Sequence, residues 1–91
     1  MPFCTIVEFE WADKLERERF EAGLSASGAD TVPDGRLTKI VGIDGDGARV
    51  VEVWRSGEDA RAFAERSAPA VAEMPAPSRV VGFDVTSYVA S

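Results

Sequence analysis

Asp44-Gly45-Asp46-Gly47 divides this chain near its middle, between two runs rich in β-branched residues. Residues 36–43 carry Leu37, Ile40, Val41 and Ile43, and residues 48–55 carry Val50, Val51, Val53 and Trp54. Glycine accepts the positive φ that tight turns demand, so Asp-Gly-Asp-Gly between such runs predicts a β-hairpin. A central hairpin commits the fold to an antiparallel pair, around which the two flanks must be arranged.

Each flank supplies one strand and one helix. Residues 3–9 (Phe-Cys-Thr-Ile-Val-Glu-Phe) read as a strand. Asp13 with Glu16 forms a capping box that opens a highly charged helix. Leu15, Arg19 and Ala22 fall on one stripe of it, widened by Phe20 and Leu24, and the run from Glu16 to Glu21 reads as its solvated face. Ser27-Gly28 ends this helix, and residues 28–35 form a turn-rich loop. Beyond the hairpin, Ser56 and Asp59 make a second capping box. Ala60, Phe63, Ala64, Ser67, Val71 and Met74 mark the inner face of the helix that follows. Pro69 lacks an N–H, so this helix is expected to kink or restart near Ala68. Residues 74–78, with two prolines, break it, and residues 79–89 read as the last strand. No internal linker is visible, so a single domain over residues 1–91 is expected.

The order β-α-β-β-α-β, with right-handed crossovers, places both helices on one face of a four-stranded antiparallel sheet. That is the ferredoxin-like α+β arrangement; an unrelated α+β sandwich with another strand order is the alternative. A solvated second face should alternate to polar residues. Here Val50, Val51, Val53 and Trp54 put apolar groups on both faces of one strand. Val80, Val81, Phe83 and Val85 do so on another, and Ile40 with Val41 on a third. Single exposed valines are ordinary, but three strands with the same excess predict a homodimer packed sheet to sheet.

Composition removes several classes of function. With 10 Lys+Arg against 16 Asp+Glu the formal net charge is -6, a poor match for nucleic acid or anionic lipid, so neither a nucleic-acid nor a membrane partner is expected. His is absent, which excludes every His-based triad, Cys-His pair, His metal site and proximal-His haem. The lone Cys4 excludes an internal disulfide and reads as a small hydrophobe. Asp44 to Gly47 lacks the later Glu of a calcium loop, and no metal is expected. The N-terminus shows no secretory pattern, and no apolar run approaches the ~18 residues of a membrane span, so a cytoplasmic protein is the simplest expectation.

Residues 50–63, Val-Val-Glu-Val-Trp-Arg-Ser-Gly-Glu-Asp-Ala-Arg-Ala-Phe, resemble the strand-Trp-x-Ser-x-x-x-x-x-Phe signature of the dimeric α/β-barrel superfamily, in its antibiotic-biosynthesis-monooxygenase-like branch. Ala-Pro-Ala-Val at 68–71 and Val-Gly-Phe-Asp-Val-Thr-Ser-Tyr at 81–88 fit the same pattern. The resemblance implies two sheets closing into a dimeric barrel, with a cavity between each sheet and its own helices. Members include cofactor-independent monooxygenases of polyketide pathways, cyclases, isomerases, haem-degrading oxygenases and proteins without known activity. The haem-binding members place a His on the second helix, and cyclases and isomerases often use His as acid or base; both routes are closed here. Asn and Gln are absent as well, so the amide groups used by the monooxygenases are missing.

Trp54 is implied by the resemblance to face the helix-side cavity, where its ring suits planar substrates; a core or dimer tryptophan is the alternative. Glu52 shares its face by period-two alternation and is the candidate catalytic base, or else an ion-paired glutamate. Phe63 and Leu15 are expected to roof the cavity, and Glu8 to join its substrate-binding wall. Glu8, Glu52 and Asp84 could form a carboxylate cluster. Tyr88 could serve a pocket or an interface. Arg19, Lys39 and Arg55 could hold an anion or balance the acids. The leading expectation is a small enzyme, without cofactor, acting on an aromatic or polyketide-like molecule by oxygenation or by proton transfer. The alternatives are a non-catalytic small-molecule-binding or helper protein, and a dimeric structural protein with a filled core.

Overall fold

The computed structural model describes residues 1–26, 33–72 and 74–88. Its elements are β1 (Phe3–Glu10), α1 (Lys14–Ala26), β2 (Arg36–Asp44), β3 (Gly47–Trp54), α2 (Gly57–Val71) and β4 (Arg79–Asp84). The strands form one antiparallel sheet in the order β2-β3-β1-β4. This is the ferredoxin-like α+β fold expected from the order of elements. The expected helix end at Ser27-Gly28, residues 28–32 of the loop and Val89 lie outside the described residues.

Register assigns the two faces. Phe3, Thr5, Val7 and Phe9 stand opposite Trp54, Glu52, Val50 and Ala48, and directly opposed residues share a face. Ring contacts from Phe9 to Phe20 and from Trp54 to Phe63 identify this as the helix side. Cys4, Ile6 and Glu8, with Val53, Val51 and Arg49, therefore occupy the helix-free face.

The main core lies toward the hairpin end. Phe9, Trp11, Phe20, Ala48 and Val50 form it, with Val7, Leu24 and Met74 packed against it. Phe20 is fully buried, its ring 4.7 Å from Phe9 and 5.5 Å from Trp11. Trp11 also ties the β1–α1 junction to the hairpin: its indole donates to the Gly45 carbonyl and its backbone N–H to that of Asp46, both at 2.9 Å.

Both helix starts follow their caps. Asp13 accepts from the Glu16 N–H, while the Glu16 carboxylate accepts from the Ala12 N–H, each at 2.9 Å. Ser56 accepts from the Asp59 N–H at 3.2 Å. The rotational phase of α1 differs from the expected stripe. Phe20 and Gly23 are buried and Leu24 half-buried, whereas Leu15, Arg19 and Ala22 are exposed. The bulk of Phe20 sets the phase, and Gly23 admits Met74 against the helix. A Cβ at position 23 would lie 2.0 Å from Met74 Cγ. The solvated side of α1 carries the i,i+4 ion pairs Lys14–Glu18 and Arg17–Glu21.

Two further expectations change. α2 does not restart near Ala68; it is one helix to Val71, with Pro69 in its last turn. Loss of an N–H there removes a single terminal bond rather than an interior one. β4 ends at Asp84, short of residue 89. The Val85 N–H still donates to the Pro2 carbonyl at 2.8 Å, after which the chain leaves the ladder and the Tyr88 hydroxyl hydrogen-bonds that of Thr38 on β2. Among the described residues no helix is long and apolar enough to cross a membrane.

Candidate functional site

The end of the sheet opposite the hairpin gathers the chemistry-bearing residues of the helix face. β3 finishes at Trp54, which is 1% exposed. Its ring lies 5.2 Å from that of Phe63 on α2, tilted by 37°. Arg66 holds its guanidinium 5.5 Å from the Phe63 centroid, a cation–π contact on that ring. Period-two alternation then places Glu52 beside Trp54, and Arg36 of β2 donates to it at 3.2 Å. The two side chains are 5% (Arg36) and 13% (Glu52) exposed, so opposite charges are paired within a nearly dry layer.

Arg36 was absent from the residues singled out in the sequence. An irregularity between Arg36 and Thr38 leaves Arg36 opposite Trp54 and Lys39 opposite Glu52. The ion pair therefore runs diagonally between the strands, a relation that regular alternation does not foresee.

The α2 N-terminus adjoins this pair. Arg55 donates to Asp59 Oδ2 at 3.1 Å, the Ser56 hydroxyl donates to the same oxygen at 3.1 Å, and the Arg55 N–H donates to the Gly35 carbonyl at 2.7 Å. Gly35 has φ of 87°, and a Cβ there would lie 2.5 Å from Asp59 Cγ. Only glycine suits both demands. The hydrogen bond from Arg55 holds the Asp59 carboxyl below its ordinary value; desolvation opposes this and the Ser56 bond reinforces it. Reciprocally, Asp59 raises Arg55, first through that hydrogen bond and then through its charge, with Asp34 adding to it.

The remaining expected site residues go elsewhere. Glu8 lies on the helix-free face, paired with Arg49 at 2.7 Å, so it shares no wall with Glu52. Asp84 is on the helix face but exposed, opposite Phe3 on the edge strand, so the three acids form no cluster. Leu15 is 54% exposed and does not roof Trp54. An open concavity of about 1090 Å³ lies at the hairpin end instead, lined by Glu8, Ile40, Gly42, Arg49 and Val51 among others. Trp54, Glu52 and Phe63 do not line it.

Neither a family model nor a curated protein matches the sequence. Solved structures do match in fold. A Chloroflexus aurantiacus protein provisionally named an antibiotic biosynthesis monooxygenase superposes with a TM-score of 0.76 at 19% identity, over 99% of this chain and 98% of that one. Rv0793 from Mycobacterium tuberculosis gives 0.74 at 19% identity, over 99% and 100%. A variant of SnoaB, a cofactor-independent oxygenase from Streptomyces nogalater, gives 0.71 at 9% identity, over 99% and 98%. The chain thus has the ferredoxin-like fold of antibiotic-biosynthesis-monooxygenase-like proteins.

Proposed function

We propose that this chain is a small enzyme of secondary metabolism that needs no cofactor and acts on a planar aromatic or polyketide-like molecule, by oxygenation or proton transfer. The Arg36–Glu52 pair beside Trp54 carries this reading. A buried ion pair is a poor device for stability, because well-packed apolar residues often serve as well or better. Its chemistry suits a phenol or enol that approaches the indole: the hydroxyl proton passes to the Glu52 carboxylate, and Arg36 balances the charge left on oxygen. Half-buried Phe63 supplies the flat apolar surface, backed by the buried Trp54 ring. The shared fold, which includes an enzyme described as a cofactor-independent oxygenase, supports the same reading. Two copies are proposed to pair through Ile6, Val51, Val81 and their neighbours on the helix-free face.

The close packing of Trp54 on Phe63 favours a second reading, a non-catalytic binder or helper protein of the same fold. A panel of naphthols and anthrones separates the two, with binding followed by tryptophan fluorescence and turnover by oxygen uptake and product analysis. The enzyme reading expects binding and turnover in the unmodified protein. Trp54→Ala should abolish binding, and Glu52→Gln should keep binding while lowering turnover by on the order of 10²–10⁴. Binding without turnover would support the helper, and turnover unchanged in Glu52→Gln would remove the base assignment.

A further inference from the structure

We propose that residues 85–88 form a strap, clasped by the Tyr88 and Thr38 hydroxyls, that closes one end of the helix-free face. Register places Phe83, Cys4, Val53 and Thr38 side by side on that face, one from each strand from β4 to β2. The chain leaves β4 at one end of this row, just past Phe83, and the Tyr88 hydroxyl meets Thr38 at the other. Three inter-strand spacings of ~4.8 Å separate the row's ends, and four extended residues reach about as far. The first link is the Val85 N–H bonded to Pro2, and the last is the hydroxyl pair.

Burial at the centre of the row agrees with a cover. Cys4, in its interior, is only 6% exposed although neither α1 nor α2 lies on this face, while Ile6, the next residue on the same face of β1, is half-buried and Phe83, at the β4 end of the row, is 44% exposed. Burial also pushes the Cys4 thiol above its ordinary value. The strap thus divides the face: the centre of the row, at Cys4, is closed in cis, while Phe83 at its margin and the part toward the hairpin stay open to a second copy. Among the described residues a single side-chain hydrogen bond, Tyr88 to Thr38, holds its far end, so the strap can open without unfolding the sheet.

The single cysteine makes the opening measurable. The probe is 5,5′-dithiobis(2-nitrobenzoate), reacted with the native, untruncated chain of residues 1–91 at fixed pH over a range of protein concentrations. Tyr88→Phe and Thr38→Val should each speed the reaction roughly two- to tenfold, the worth of one net hydrogen bond. The double variant should be no faster than either single one, and a chain truncated after Asp84 should be faster than all. An unchanged rate in both hydroxyl variants would overturn the clasp, and an unchanged rate in the truncated chain would overturn the strap. Protection of the unmodified protein that fades on dilution would assign the cover to a second copy, overturning the strap while leaving the pairing of copies intact.

Discussion

Asp59 shows how much one residue can organise here. Its N–H completes the Ser56 cap, and its carboxylate collects Arg55 and the Ser56 hydroxyl beside Gly35. Ser56→Ala should lower stability by about 1 kcal/mol in urea titrations, the usual worth of an N-cap. The pH dependence has a definite sign, because the folded carboxyl sits below its ordinary value of 3.8. Its stabilisation is complete above that value and is lost as pH falls through the depressed native one. The midpoint difference between unmodified protein and Asp59→Asn should therefore narrow on acidification below pH 3.8; a difference constant across that range would remove the linkage. Both caps were legible in the sequence, because capping depends on spacing within a single turn. The common face of Trp54 and Glu52 was legible for the same reason, since alternation is local. Arg36 was not, because its partner is chosen by an irregularity between two strands.

Element-scale packing of α1 was harder to read. Its apolar residues are few, and Leu15 and Leu24 define competing stripes until Phe20 finds its partners, Phe9 and Trp11, from a distant part of the chain. Phe20→Ala should cost about 3–5 kcal/mol, the range for emptying an aromatic core position. Gly23 gives a sharper test, because helix propensity and packing oppose each other there. Alanine would favour the helix by ~1 kcal/mol but would meet Met74 Cγ at 2.0 Å. Gly23→Ala should therefore destabilise the unmodified chain and stabilise a Met74→Ala background. Equal effects in the two backgrounds, measured by thermal melts, would show that Met74 does not dictate the glycine. The sequence predicts too long a β4 because valines and aromatics recur through 79–89, whereas the ladder ends where its neighbour β1 does.

At the scale of the molecule, the apolar helix-free face predicts assembly in solution. Ile6, Val51 and Val81 lie across it, with Ile40 59% exposed at one side, and monomers rarely leave such a surface uncovered. Sedimentation of the unmodified protein should show a dimer at micromolar concentration. Val51→Lys should release monomers or precipitate; Val53 is the less suitable position because its row lies under the proposed strap. A clean monomer of the unmodified chain would defeat the pairing. The two-sided apolar content behind this expectation was visible in the sequence because it needs only alternation, but the covered row was not, since it depends on where the chain goes after β4. The strand order has one more result. Glu10 pairs with Gly47 at one end of β1 and Phe3 with Trp54 at the other, so the chain's two indoles are held a full strand length apart, ~20 Å or more. Trp11 looks onto the hairpin turn and Trp54 onto Phe63 and the neighbouring ion pair. The protein thus carries a pair of optical reporters whose emission can be separated by replacing either with phenylalanine. A ligand that quenches Trp54 and leaves Trp11 unchanged would disclose its own address, with no label attached.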